Sequence, residues 1–175
     1  EDRDEYLLFV GRISIEKGVH IAIEIAQQSD RELIIAAKLD KLDMPYYRDY
    51  VEPHLSERIR WIGEVDETER NKLMSRAFAF VHPVTWREPF GLVLIEAMAC
   101  GCPVVAFEQG SIPEIVKPGL SGFVVQDVET AVEALESIPT IDRKKCREYA
   151  LTNFSAQTMT DGYEKVYKQI LEKTK

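Results

Sequence analysis

The sequence has no apolar run long enough to span a bilayer, and its N-terminus, "EDRDEY", is acidic and polar rather than leader-like. Neither a membrane-spanning segment nor a secretory leader is expected within these 175 residues. Cysteine is scarce: Cys100, Cys102 and Cys146 are an odd set that fits reduced core thiols in the cytoplasm better than a disulfide framework. His20, His54 and His82 share no ligand spacing with them, so no metal site is expected. An excess of basic residues is also missing. The 22 Lys and Arg stand against 30 Asp and Glu, a net charge of −8, which argues against a general nucleic-acid binder. It leaves room for an anionic small ligand, because a few local cations and a helix N-terminus suffice to hold phosphate. Both the G-x-G-x-x-G and the Walker patterns are absent. The first residue is Glu1, not methionine, and the chain is expected to be a piece of a longer one.

What is present is alternation. Strand-like runs at 6–10, 32–37, 59–63, 78–83, 103–107 and 121–126 are separated by helix-like runs at 18–29, 45–54, 66–77, 90–100 and 111–116. Three more helical stretches follow, at 127–137, about 140–151 and 155–173. In the first helix, Val19, Ala22, Ile23 and Ala26 fall on one side; in the third, Asp66 or Thr68 is the candidate cap; the fourth is ended by Gly101. There is no internal repeat and no linker-like segment. The pattern predicts one α/β domain over 1–175, Rossmann-like and doubly wound, with a mostly parallel six-stranded sheet and helices on both faces. Ligands of such sheets bind at the carboxyl ends of the strands, here the loops after residues 10, 63, 83 and 107.

Three of these loops carry chemistry. "GRISIEKG" (11–18) puts Arg12 and Lys17 between two glycines at the exit of the first strand, the content a phosphate site needs. Alone, the segment reads equally well as a basic surface loop. "TWREPFGLVLIEAMACGCPVVAF" (85–107) places Glu88 ahead of a helix expected to start near Phe90, with Pro89 in its first turn and Gly91 just after. The N–H groups of Phe90 to Val93 would then lack helical partners and could face an anion. Glu96 lies inside the helix among Leu94, Ile95, Ala97, Met98 and Ala99, where a carboxylate needs partners, and ligand hydroxyls would serve. Eight residues span at most ~12 Å of helix, so one extended ligand could touch both glutamates. Favouring the helix dipole is the plainer reading of Glu88. "GSIPEIV" (110–116) reads as a structural turn holding Gly110, Pro113 and Glu114.

In this order and spacing, "FVGRISIEKG", "REPFGLVLIEAMACGCPVVAF", "GSIPEIV" and "GFVV" resemble the C-terminal domain of retaining glycosyltransferases of glycosyltransferase family 4. The likeness is close over roughly residues 5–126, and its strongest motif is E-x7-E, Glu88 to Glu96. The resemblance implies one half of a GT-B fold that binds a nucleotide-diphosphate sugar, GDP- or UDP-linked, without a metal. It implies that Arg12 and Lys17 contact the diphosphate, that Glu88 lies by the donor sugar as the catalytic carboxylate, and that Glu96 receives the ribose hydroxyls. Phe90, Gly91 and Leu92 would approach sugar and phosphate by their backbone, and Gly63 to Val65 would lie near the base. The expected reaction is transfer of a hexose, with mannose as the candidate, to a glycan or glycolipid acceptor in polysaccharide biosynthesis.

The segment "HPVTWRE" departs from the family's usual "P-S" and short link, which leaves the loop beside the sugar undetermined. An N-terminal acceptor-binding domain of similar size is not in the sequence, so the chain alone is expected to bind donor without turnover. The helix at 155–175 is expected to pack toward that missing domain, with Met159, Tyr163, Val166, Tyr167 and Ile170 as its apolar face, or to support a dimer through exposed helices. A cytoplasmic enzyme, peripheral at the inner face of the membrane if the missing domain is basic and amphipathic, fits this picture. Two alternatives stay open: another GT-B sugar-nucleotide enzyme, epimerase-like, which would want histidines near the loops, where only His82 qualifies; and a non-catalytic Rossmann-like module, which would leave Glu96 unexplained.

Overall fold

A computed structural model describes residues 4–173. Six strands form one parallel sheet: β1 (Leu7–Arg12), β2 (Leu33–Lys38), β3 (Ile59–Gly63), β4 (Ala79–His82), β5 (Val104–Phe107) and β6 (Gly122–Val125). Their spatial order is β3-β2-β1-β4-β5-β6. The central strands are apolar on both faces, as strands covered twice must be; β4 and β5 are buried at every residue. The expectation of a mostly parallel sheet is exceeded, since all five pairings are parallel.

Helices flank the sheet. α1 (Val19–Gln28) buries Val19, Ala22, Ile23, Ile25 and Ala26. α2 (Met44–Tyr50) precedes a single 3-10 turn, Glu52–His54. α3 (Glu67–Arg76) is capped by Asp66, whose carboxylate accepts from the Glu69 N–H at 2.9 Å. α4 (Leu92–Ala99), α5 (Ile112–Ile115), α6 (Val128–Ser137), α7 (Arg143–Asn153) and α8 (Ala156–Lys173) follow. α1 packs on α6, and α4 packs on α3 and α7, so the helices make two layers. Phe9, Phe80, Leu33, Ile35, Met74, Leu94 and Met98 are fully buried between them. Each such side chain contributes about 1.5–3 kcal/mol by leaving water.

The strand order reverses between β1 and β4. From β1 the chain moves outward to β2 and β3, then returns to the other side of β1 for β4, β5 and β6. The loops that leave β1 and β4 therefore lead to helices in different layers, and the crevice lies at the carboxyl ends of these strands. One sequence expectation shifts here. α4 starts at Leu92, with Gly91 as its N-cap, two residues later than Phe90, and Pro89 lies outside its first turn. The cause is tertiary. The Glu88 carbonyl accepts the Ser111 N–H at 3.0 Å and the Ser111 hydroxyl at 3.1 Å, which holds the chain ahead of α4 in a loop. α8 contains no buried residue, and Met159, Tyr163, Val166, Tyr167 and Ile170 all face solvent; the predicted residues 174–175 lie outside the described ones. No helix among the described residues is long and apolar enough to cross a membrane.

Candidate functional site

The loops after β1 and β4 are fastened to each other. Thr85 N–H donates to the Glu16 carbonyl at 3.0 Å. Gly18 lies so close to Pro83 that a Cβ built on it would stand 2.1 Å from the Pro83 carbonyl oxygen, which admits only glycine. This contact brings Lys17, carried by the first loop, to Glu88, carried by the second. Lys17 Nζ stands 2.9 Å from Glu88 Oε2. Two hydrogen-bond donors meet at that one carboxylate oxygen, and a third nitrogen lies near it. Beside Lys17 are the Trp86 Nε1–H at 3.1 Å and His82 Nε2 at 3.7 Å, the last beyond hydrogen-bond length. The Lys17 ammonium also lies 4.8 Å from the centre of the Trp86 ring, a cation–π contact.

Glu88 is 8% exposed, yet it is held ionised. The His82 imidazole and, nearer, the Lys17 ammonium draw its carboxyl down to about 2, against burial, which pushes the other way. His82 is pushed below its ordinary value by burial, with Glu88 opposing the shift. It ends β4 at 3% exposure, stacked 6.0 Å from Phe80, and neither ring nitrogen has a hydrogen-bond partner. Behind Glu88 the backbone is fixed by the turn at Gly110 and Ser111. The Gly110 φ is +58°, and a Cβ there would fall 2.3 Å from the Glu88 carbonyl oxygen. The turn read from the sequence as structural thus positions the carboxylate.

A cleft of about 540 Å³ runs along the carboxyl ends of β1, β2 and β4, with α4 as one wall. Of the residues expected at the site, Lys17, Val65, Glu88, Phe90, Gly91, Leu92 and Glu96 line it. Arg12 and Gly63 do not. Arg12 ends β1 with its side chain about half exposed, 2.6 Å from Glu16 Oε1, and Gly63 ends β3 beside the lining residues Glu64 and Val65. The cleft also takes in Lys38, Arg70 and His82. The start of α4 borders the same space, so its first N–H groups and positive dipole end lie along the cleft that Lys17 also lines.

Glu96 does not sit in the core. Its side chain is 38% exposed, on the cleft side of α4, and pairs with Arg70 of α3, Nη2 to Oε1 at 3.3 Å. The sequence placed Glu96 by the apolar residues around it and gave no sign of Arg70, which sits in a polar helix far upstream. Trp86 was part of a loop of unknown shape. Among the described residues, no group of three or more His, Cys, Asp or Glu is placed to hold a metal ion.

The arrangement offers an anion site made of an ammonium and a helix N-terminus, an ionised and oriented carboxylate beside it, and a second carboxylate farther along the same cleft. The family described as glycosyl transferases group 1 matches residues 1–152. The glycogen synthase of Mycobacterium tuberculosis is 34% identical over 175 residues, covering 92% of this chain and 42% of that protein. A glycosyltransferase involved in avilamycin A biosynthesis superposes with a TM-score of 0.83 at 28% identity, covering 98% of this chain and 52% of its own. The sucrose-phosphate synthase of Thermosynechococcus elongatus superposes at 0.80 with 26% identity, covering 97% and 46%. The chain spans less than half the length of the curated relatives it matches.

Proposed function

Since the chain belongs to the glycosyl transferases group 1 family, we propose that it is the donor-binding half of a retaining, family 4 glycosyltransferase that moves a hexose from a nucleotide-diphosphate sugar to a glycan or glycolipid. One observation carries this reading. Lys17, the N-terminus of α4, Glu88 and Glu96 line one cleft at the point where the strand order reverses. In this reading the diphosphate lies against Lys17 and the first N–H groups of α4, with Arg12 at the rim. The ribose reaches Glu96, and the base lies toward Glu64 and Val65.

The mechanism is electrostatic. As the bond from the anomeric carbon to phosphate breaks, negative charge grows on the diphosphate and positive charge on the sugar. Lys17 and the α4 N-terminus oppose the first, and the ionised Glu88 opposes the second. Mannose remains the candidate hexose. The acceptor comes from a part of the enzyme beyond this chain. An epimerase-like reading draws on His82, which stands beside Glu88; its 3% exposure leaves it poorly placed to exchange protons with a substrate.

The test is calorimetric titration of this chain with GDP, UDP and ADP, alongside Lys17→Ala and Glu96→Ala. Binding of one nucleotide, weakened about 10-fold or more by each change, is the expected result. A folded chain that binds none of the three overturns the reading.

A further inference from the structure

Glu96 is the residue that the proposed function assigns to the ribose, and a carboxylate on a half-exposed helix face has several rotamers open to it. In this protein one of its oxygens has an ion-pair partner. Arg70 reaches across from α3 and sets its Nη2 3.3 Å from Glu96 Oε1. Both residues line the cleft. The Arg70 side chain is the more enclosed of the two, 26% exposed against 38%, and its Nε is shut off from solvent with no hydrogen-bond partner in the protein. A guanidinium donor in that condition is costly unless an acceptor meets it. The other cations of the cleft are placed differently. Lys17 lies beside Glu88 at 2.9 Å, and Lys38 reaches out to Asp40 at 2.9 Å. Arg70 is the cation that addresses Glu96.

We propose that Arg70 is a positioning residue that sets the sugar specificity of the nucleotide end of the cleft. It holds Glu96 by Oε1, so that Oε2 faces the ligand and accepts from vicinal hydroxyls. The ligand class that fits is a nucleotide whose pentose carries both hydroxyls. This rests on the proposed function, because it takes Glu96 to be the ribose-binding group. The chemistry is that of a polar site built around a hydroxyl pair. Such a site rejects an analogue lacking one hydroxyl more strongly than an apolar pocket would, since the carboxylate is left unmatched.

The experiment titrates this chain calorimetrically with whichever of GDP, UDP or ADP binds and with its 2′-deoxy counterpart. It compares wild type, Arg70→Met, Arg70→Lys and Glu96→Gln, with a urea melt of each to establish folding. Methionine keeps most of the length and apolar stem of Arg70. The expected result is a preference of about 10-fold or more for the ribonucleotide in wild type. That preference should fall to near unity in Arg70→Met and Glu96→Gln and return in part in Arg70→Lys. A folded Arg70→Met that keeps the full preference overturns the proposal while leaving the nucleotide site intact. A wild-type chain that binds no nucleoside diphosphate overturns the proposed function, and this inference with it. A merely structural Arg70 would change the melt, or weaken both nucleotides equally, and either outcome with the preference retained counts against the proposal.

Discussion

Lys17 and Glu88 are 71 residues apart in sequence and 2.9 Å apart in the fold. They meet because β1 and β4 are neighbours and because Gly18 lets the first loop touch Pro83. Each of the two strands thus delivers one charge to the crevice between them. The pair is mostly enclosed, with side-chain exposures of 21% and 9%, so water screens it less than a surface ion pair.

The first prediction concerns acid. An unfolded glutamate titrates near 4.5, and Glu88 in the folded chain is held at about 2 by His82 and Lys17. A folded value below the unfolded one adds stability at pH above about 4.5, and that stability is lost as the pH falls toward 2. The difference is worth about 3 kcal/mol at most. His82, lowered by burial, adds a loss that begins as the pH falls through its ordinary 6.5, and Glu88→Gln deepens this loss by removing the carboxylate that opposes the shift. The quantity to follow is therefore the gap in urea-unfolding free energy between wild type and Glu88→Gln. It should shrink by up to about 3 kcal/mol as the pH falls from about 4.5 to 2. A gap that does not change with pH would show that the carboxylate is not held ionised by its neighbours.

A second prediction separates close approach from backbone strain. Gly110 and Gly119 both have positive φ, +58° and +73°. At Gly119 an added Cβ meets nothing within 4 Å, whereas at Gly110 it would stand 2.3 Å from the Glu88 carbonyl oxygen. Gly119→Ala should cost about 1 kcal/mol from the left-handed backbone alone. Gly110→Ala should cost about 3 kcal/mol or more, because it must also displace the Glu88 backbone from Ser111. In the proposed function it should weaken binding of a nucleotide sugar more than binding of the bare nucleotide, since Glu88 is assigned to the sugar. Equal losses of stability in the two variants would show that the turn gives way without moving Glu88.

Much of this was legible from the residues. Runs such as "LIIAA" and "FAFVHP" have the length and continuous apolarity of doubly covered strands, and all six expected strands form within a residue or two of their predicted limits. Asp66 was one of two candidate caps and proved to be the one that binds. Lys17 and Glu88 reach one cleft because each is carried by a loop that leaves a strand end, and Glu96 because α4 walls the same cleft. The rest depends on contacts between segments distant in sequence, which leave no local pattern. Ser111 captures the Glu88 carbonyl and delays α4 to Leu92. Arg70 reaches Glu96 only because α3 packs on α4. Trp86 turns back on Glu88 through the course of a loop that no periodicity describes.

A third prediction follows from the thiols. Cys102 and Cys146 are fully buried, and burial pushes both up to about 12. Cys100 is half-buried and raised for the same reason, but remains within reach of solvent. A thiol-reactive reagent at pH 8 should modify Cys100 alone in the native chain, and slowly, because little thiolate is present. The other two should react only after unfolding. Peptide mass mapping of the native reaction checks this, and early modification of Cys146 would mean that α7 opens readily from α4.

The last prediction concerns α8. Its start is well specified: the Thr158 N–H donates to the Ser155 hydroxyl at 3.1 Å, and the Thr158 hydroxyl donates to the Thr152 carbonyl at 2.9 Å. Its apolar stripe is largely exposed. Met159, Tyr163, Tyr167, Ile170 and Leu171 are each more than half exposed, and no residue of the helix is buried. A helix with no buried residue adds little to the domain's hydrophobic stabilisation, whatever its own propensity. Deleting residues 155–175 should therefore leave the free energy of unfolding within about 0.5 kcal/mol of the full chain, while lowering helical ellipticity. If the stripe is instead used by a second copy of the chain, the full chain should sediment as a concentration-dependent dimer, and the deletion should abolish the dimer without destabilising the monomer. A loss of several kcal/mol in the dilute, monomeric deletion variant would show that α8 folds back onto the domain and that its apolar face is covered from within.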